Sequence, residues 1–199
     1  ASLETNTSGS GDAGTIKLEG SNLSINDALI ASQSTGGQSG QAGSISLQSG
    51  TTSMVDTTVS TKTGSSASSK QTASIMIAST SGDLSLTNTA VEGSTSGGND
   101  AGDINLSASG QANIVGTDVK SQSTGAGNAG SISLIANGIE LIQSLFDTNT
   151  QSNKLNATAS IILDSQGGAM SLTGTDLDRH GLSASTSGAA NAGSIQLQN

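Results

Sequence analysis

The chain has 199 residues and a net charge of −9 from fifteen acidic and six basic residues, with 27 Gly, one Phe and no Trp, Tyr, Pro or Cys. The absence of cysteine excludes a disulfide scaffold and thiolate metal sites, and the scattered Lys and Arg argue against nucleic acid or anionic membrane, which need clustered positive charge. No apolar run nears the length of a transmembrane helix, no secretory signal is visible, and the Ser/Gly-rich segments alternate with ordered Ile and Leu that a disordered tract does not need.

In chain order, Leu3 is expected on the third strand of an earlier coil, with Ile16 opening the next. The phrase "GDAGTIKL" (11–18) predicts a strand at Ile16 and Leu18, a turn at Gly20, a second strand at "LSI" (23–25), a corner at Asp27 and a third strand at Ile30. From "GQAGSISL" (40–47) the series repeats as Ile45 and Leu47, Gly50, Met54, Asp56-Thr57 and Val59. The weaker "QTASIMI" (71–77) gives Ile75 and Ile77, followed by Gly82, "LSL" (84–86), Asn88-Thr89 and Val91. "NDAGDINL" (99–106) gives Ile104 and Leu106, Gly110, Ile114, Gly116-Thr117 and Val119. "GNAGSISL" (127–134) gives Ile132 and Leu134, Gly138, "IEL" (139–141), Gln143-Ser144 and Phe146. "ATASIIL" (157–163) gives Ile161 and Leu163, Gly167, "MSL" (170–172), Gly174-Thr175 and Leu177, and "ANAGSIQL" (190–197) restarts at Ile195 and Leu197.

The first isoleucines of these phrases recur at a period of about 29 residues, the kind of period that marks a stacked repeat; the last interval, from Ile161 to Ile195, is the longest. Each I-x-L pair has the period of two that marks a strand with one buried face. Glycine in the following turn supplies positive φ without steric cost. The third-strand residue is read five positions after the second-strand one in all six coils, with a hydroxyl at the corner in five of them, so this corner is expected to refuse insertions. Length variation is expected only in the next gap, between the third-strand residue and the following first isoleucine. That gap is shortest from Val91 to Ile104 and from Val119 to Ile132, and longest from Leu177 to Ile195.

Three short strands per repeat cannot bury themselves singly; stacked in register, each completes its neighbours' core. Parallel crossovers are overwhelmingly right-handed. The expected fold is therefore all-β, a right-handed parallel β-helix with this period and six to seven rungs, spanning 1–199 as a single repeat domain. Its core column is Ile16, Leu18, Ile45, Leu47, Ile75, Ile77, Ile104, Leu106, Ile132, Leu134, Phe146, Ile161, Leu163 and Ile195.

The "GNAGSISL" phrase, its Ser/Thr/Gly loops and the repeat period resemble the repeats of filamentous-haemagglutinin-like exoproteins, the large adhesins of bacterial two-partner secretion. The resemblance covers nearly the whole chain. It implies a β-helical shaft segment of a longer adhesin on the surface of a Gram-negative bacterium, exported through an outer-membrane pore. Expected partners are a host-cell or matrix receptor, polysaccharide, or further copies of the chain, with no nucleic acid and no membrane insertion.

Four features could carry chemistry of their own. "GNAG" could cradle a phosphate, but such sites need the glycines to open a helix, and here they open strands. Asp100 and Asp103 flank a corner, yet calcium takes six to eight oxygen ligands. Asp176, Asp178, Arg179 and His180, in "TDLDRHG", form the densest charged cluster and read as a charged loop insertion rather than a polysaccharide-cleaving carboxylate pair. Ser/Thr pairs after the third-strand residue, such as Thr61-x-Thr63 and Ser121-x-Ser123, could form an ice-binding array if outward, or an internal hydroxyl ladder if inward. Neither catalysis nor a metal or cofactor is expected; the alternatives to an adhesive shaft are a carbohydrate-binding or polysaccharide-cleaving β-helix and an ice-binding solenoid.

Overall fold

The isoleucines that measure the repeat lie directly above one another. A computed structural model describes residues 1–36, 40–64, 72–152, 159–174 and 180–199. Within it Ile16, Ile45, Ile75, Ile104, Ile132, Ile161 and Ile195 are successive partners across parallel strand pairs, and so are Leu18, Leu47, Ile77, Leu106, Leu134, Leu163 and Leu197. The fold is the parallel β-solenoid that the repeat predicts, with no helix among the described residues.

First strands are β2 (Ile16–Asn26), β4 (Ile45–Val55), β6 (Ile75–Ser79), β9 (Ile104–Ala108), β12 (Ile132–Ala136), β15 (Ser160–Asp164) and β18 (Ser194–Gln198). Second strands are β7 (Leu84–Thr87), β10 (Ala112–Val115), β13 (Ile139–Ile142) and β16 (Met170–Thr173); in the first two coils they are fused to the first strands in the long β2 and β4. Together these build one sheet of 11 strands. Third strands β1 (Ser2–Thr7), β3 (Leu29–Ser34), β5 (Thr58–Thr63), β8 (Ala90–Thr95), β11 (Asp118–Ser123), β14 (Leu145–Thr150) and β17 (Gly181–Thr186) pair in that order as a second sheet of seven. Inward Ile, Leu, Val and Met from both sheets form one continuous apolar column, with Phe146 fully buried in it.

The corner between second and third strands has a defined mechanism. Asp27, Asp56, Asn88, Gly116 and Gln143 all adopt left-handed backbone, with φ between 48° and 58°. Among residues with a Cβ, Asp and Asn tolerate that region best, because their short polar side chains bond locally. The following hydroxyl turns inward and is buried at Thr57, Thr89, Thr117 and Ser144. Thr117 Oγ1 lies 3.0 Å from the Val115 carbonyl, 3.3 Å from that of Leu86 in the coil before, and accepts the Thr89 N–H at 3.3 Å. Ser144 Oγ repeats the arrangement with Ile142, Ile114 and the Thr117 N–H. These hydroxyls satisfy buried backbone groups that the turn removes from the strand ladder.

Three expectations need correction. Phe146 pairs with Leu182, so Leu182 and not Leu177 continues the third-strand column in the last coil; Leu177 itself lies outside the described residues. The five-residue corner therefore accepts an insertion there, and the gap from Leu182 to Ile195 becomes as short as that from Val91 to Ile104. That corner has a coil on one side only, so fewer bonds oppose the insertion. The first corner also varies: five residues separate Leu47 from Thr52, seven separate Ile77 from Leu84 and six separate Leu106 from Ala112, although the second-strand register is kept throughout. The extra residues turn outward, with Thr80, Ser81 and Asp83 exposed. Finally, Ile195 is 44 % exposed and Leu18 only half-buried, because each sits on a terminal rung with a coil on one side.

Ile132→Asp should unfold the solenoid, since an unpaired carboxylate in that fully buried column costs several kcal/mol; thermal melting by far-UV circular dichroism checks this, and an unchanged melt would remove the register described. Phe146→Ala should cost about 3–5 kcal/mol in a urea titration, because the smaller Val119 and Leu182 on either side cannot close the space it leaves.

Candidate functional site

The glycine-rich phrase lies at the third corner, where the chain passes from the loop into a first strand. Four of its amides are already engaged. In "GNAGS", Gly127 N–H donates to the Gly97 carbonyl (3.3 Å), Asn128 N–H to Asp100 Oδ1 (2.8 Å), Gly130 N–H to Ser121 Oγ (2.9 Å) and Ser131 N–H to Asp103 Oδ1 (2.7 Å). A phosphate would need those donors free. The packing explains the glycine as well: a Cβ at Gly102 would overlap the carbonyl of Ala73 one rung away. The phrase is a seam between coils.

The same bonds assign Asp100 and Asp103. Each carboxylate accepts a backbone N–H from the next coil, and Asp12 and Asp83 do the same for Gln41 and Gln111. Among the described residues no group of three or more His, Asp or Glu side chains is placed to hold a metal ion.

The Ser/Thr pairs point inward. Ser32, Ser34, Thr61, Thr63, Thr95, Ser121, Ser123, Thr148 and Thr150 are all buried. They line the narrow edge of the cross-section, facing the glycine seam. Ser32 Oγ donates to the Gly14 carbonyl (3.0 Å) and accepts the Gly43 N–H (2.7 Å); Ser121 bridges Gly102 and Gly130 in the same way. Only small side chains fit here, and most of them bond backbone groups across the interior, Thr148 Oγ1 being buried without a partner. The ladder lacks its hydroxyl at Gly93, the partner of Thr61, and at Ala184, the partner of Thr148. Buried in this way, the pairs present no flat hydroxyl array to ice.

Among the described residues, concave surface surrounds His180. Asp176, Asp178 and Arg179 lie outside the described residues. His180 stands between two hollows beside the last corner. One, of about 250 Å³, is walled by Leu141, Leu172 and Leu182 with Ser144 and Thr173. The other, a groove of about 460 Å³ on the outer face of β14 and β17, carries Asp147, Asn149, Ser183 and Ser185. His180 Nδ1 and Asn149 Oδ1 are shielded from solvent without a hydrogen-bond partner, while Asp147 accepts a bond from Gln122 Nε2 (2.9 Å). Asp147 is the single carboxylate among the described residues of its walls. Hydroxyls, an amide and an imidazole suit it to hydrogen-bond a polyhydroxyl ligand.

Sequence reasoning missed Asp147, Asn149, Ser183 and Ser185 as neighbours. The parity of "FDTNT" already turns Asp147 and Asn149 outward once Phe146 is inward. Their companions were hidden by the choice of Leu177. The inward series Leu182-x-Ala184-x-Thr186 matches Phe146-x-Thr148-x-Thr150 and would have revealed them.

Comparison with protein-family models, curated proteins and solved structures finds no match to this chain.

Gly102→Ala should lower the melting temperature sharply, since the added methyl forces two coils apart at the seam. A dependence of melting on phosphate that this substitution abolished would instead restore the ligand-site reading.

Proposed function

We propose that this chain is a structural and adhesive shaft segment of a large secreted surface adhesin of a Gram-negative bacterium. The observation that carries the reading is the unbroken in-register column from Ile16 to Ile195. A solenoid in which every coil presents the same core to the next can be lengthened by adding repeats, which suits a rod that holds a binding region away from the cell. Freedom from cysteine suits export as an unfolded chain through an outer-membrane pore. A host-cell or matrix receptor is the partner this reading calls for, and it needs neither cofactor nor metal.

Polysaccharide is the second reading, favoured by one observation: the groove beside His180 leaves Asn149 Oδ1 and His180 Nδ1 without partners among polar outward side chains.

Two assays separate these readings. Beads coated with the folded chain should adhere to host cells or matrix, and heat-unfolded chain should not. A polysaccharide panel should yield no new reducing or unsaturated ends. Adhesion lost in His180→Ala and competed by a soluble glycan would favour the second reading, and cleavage of any polysaccharide would overturn the first.

A further inference from the structure

The outer face formed by the first strands is uncharged over its central rungs, and that of the second strands carries a single charge, Glu140, among its outward residues from β7 to β16. Two outward columns run along the first-strand face. One is Lys17, Ser46, Met76, Asn105, Ser133, Ile162 and Gln196, and the other is Glu19, Gln48, Ala78, Ser107, Ile135, Asp164 and Gln198. From β4 through β12 neither column holds a charge. The outer face of the third strands, by contrast, carries Lys62, Glu92, Asp118, Lys120 and Asp147. Met76 and Ile135 are each 37 % exposed on the uncharged face, whereas the small Ala78 is 9 % exposed.

We propose that this face is a self-association surface, on which a second copy of the chain docks antiparallel about a two-fold axis over β9. The warrant is the match that such an axis creates. It keeps each column opposite itself and exchanges rungs equally far from β9, so Ile135 lies over the partner copy's small Ala78 position and Met76 over that of Ser133. Ile162 similarly meets Ser46. Every large apolar side chain on the face is set against a small residue, and each pair occurs twice, as an isologous interface requires.

Charge agrees. The same axis places Lys17 opposite Gln196, Glu19 opposite Gln198 and Asp164 opposite Gln48, so no like charges meet and each ionic group faces an amide able to bond it. A parallel arrangement, with the axis along the solenoid, would press Asp164 against Ile162 and bury its carboxylate unpaired. Seven rungs about 4.8 Å apart, with five-residue strands, give a face on the order of 500 Å² per copy, or about 1,000 Å² in all, at the lower limit for a specific interface. The association is therefore weak and reversible. It rests on the solenoid register and not on an adhesive role, so bead adhesion and dimerisation can fail separately.

Sedimentation velocity on the purified chain over a concentration series tests it. A reversible dimer is expected, weakened about tenfold or more by Ile135→Lys, which sets a charge at the centre of the contact, and unchanged by Ser94→Lys on the opposite sheet. Circular dichroism checks that both variants fold. Because the chain has no cysteine, single introduced thiols report orientation. Ser107→Cys, on the axis, should cross-link to itself through a short bismaleimide, and Ala78→Cys should cross-link to Ile135→Cys but not to itself. A chain monomeric at every concentration, a dimer indifferent to Ile135→Lys, or cross-linking of Ala78→Cys to itself would overturn the proposal.

Discussion

Parallel strands bonded in register hold successive coils about 4.8 Å apart, and that separation decides what each position can carry. Where backbone lies over backbone at the glycine seam, a side chain has nowhere to go, and Gly102 would put a Cβ into the carbonyl of Ala73. Where side chains stack inward, branched aliphatics fill the column without aromatics; Phe146 fits because Val119 below it leaves room. Where the chain must turn, the ladder loses hydrogen bonds that something else must replace.

The replacements come from side chains one coil away. Thr117 and Ser144 serve the second corner, Ser32 and Ser121 the glycine seam, and Asp83, Asp100 and Asp103 the outer edges of the corners. Much of the Ser, Thr and Asp that makes the composition look disordered is thus bound to backbone. This also bears on function, since residues that might have formed an ice face, a phosphate cradle or a calcium site are occupied in joining coils. The buried polar atoms without a partner include Ser79 Oγ and Thr148 Oγ1 in the interior as well as His180 Nδ1 and Asn149 Oδ1 beside the groove.

The core was legible in the sequence because two periods coincide there, one within each strand and one between coils. The second corner was legible as a small or polar position, but its left-handed backbone was not: positive φ is expected at the first-turn glycines, and Gly20, Gly50, Gly82 and Gly110 do not adopt it, whereas Asp27, Asp56, Asn88 and Gln143 do. Corner insertions were not legible. Leu177 met the five-residue rule by chance, and the inward series Leu182-x-Ala184-x-Thr186 marks the true column. Nor could the roles of Asp100 and Asp103 be read, since a carboxylate that accepts an amide from the next coil leaves no local motif. The groove beside His180 was half visible: its histidine stands out in the sequence, but its walls depend on the register that Leu177 obscured.

The central claim is that coils are stable only through their neighbours. Native-state amide hydrogen exchange, resolved along the chain, tests it most directly. The slowest-exchanging amides of β9 to β14 should open together, at one free energy equal to global unfolding, with protection falling toward β2 and β18. Protection that instead differed coil by coil, with each opening alone at its own free energy, would contradict the account.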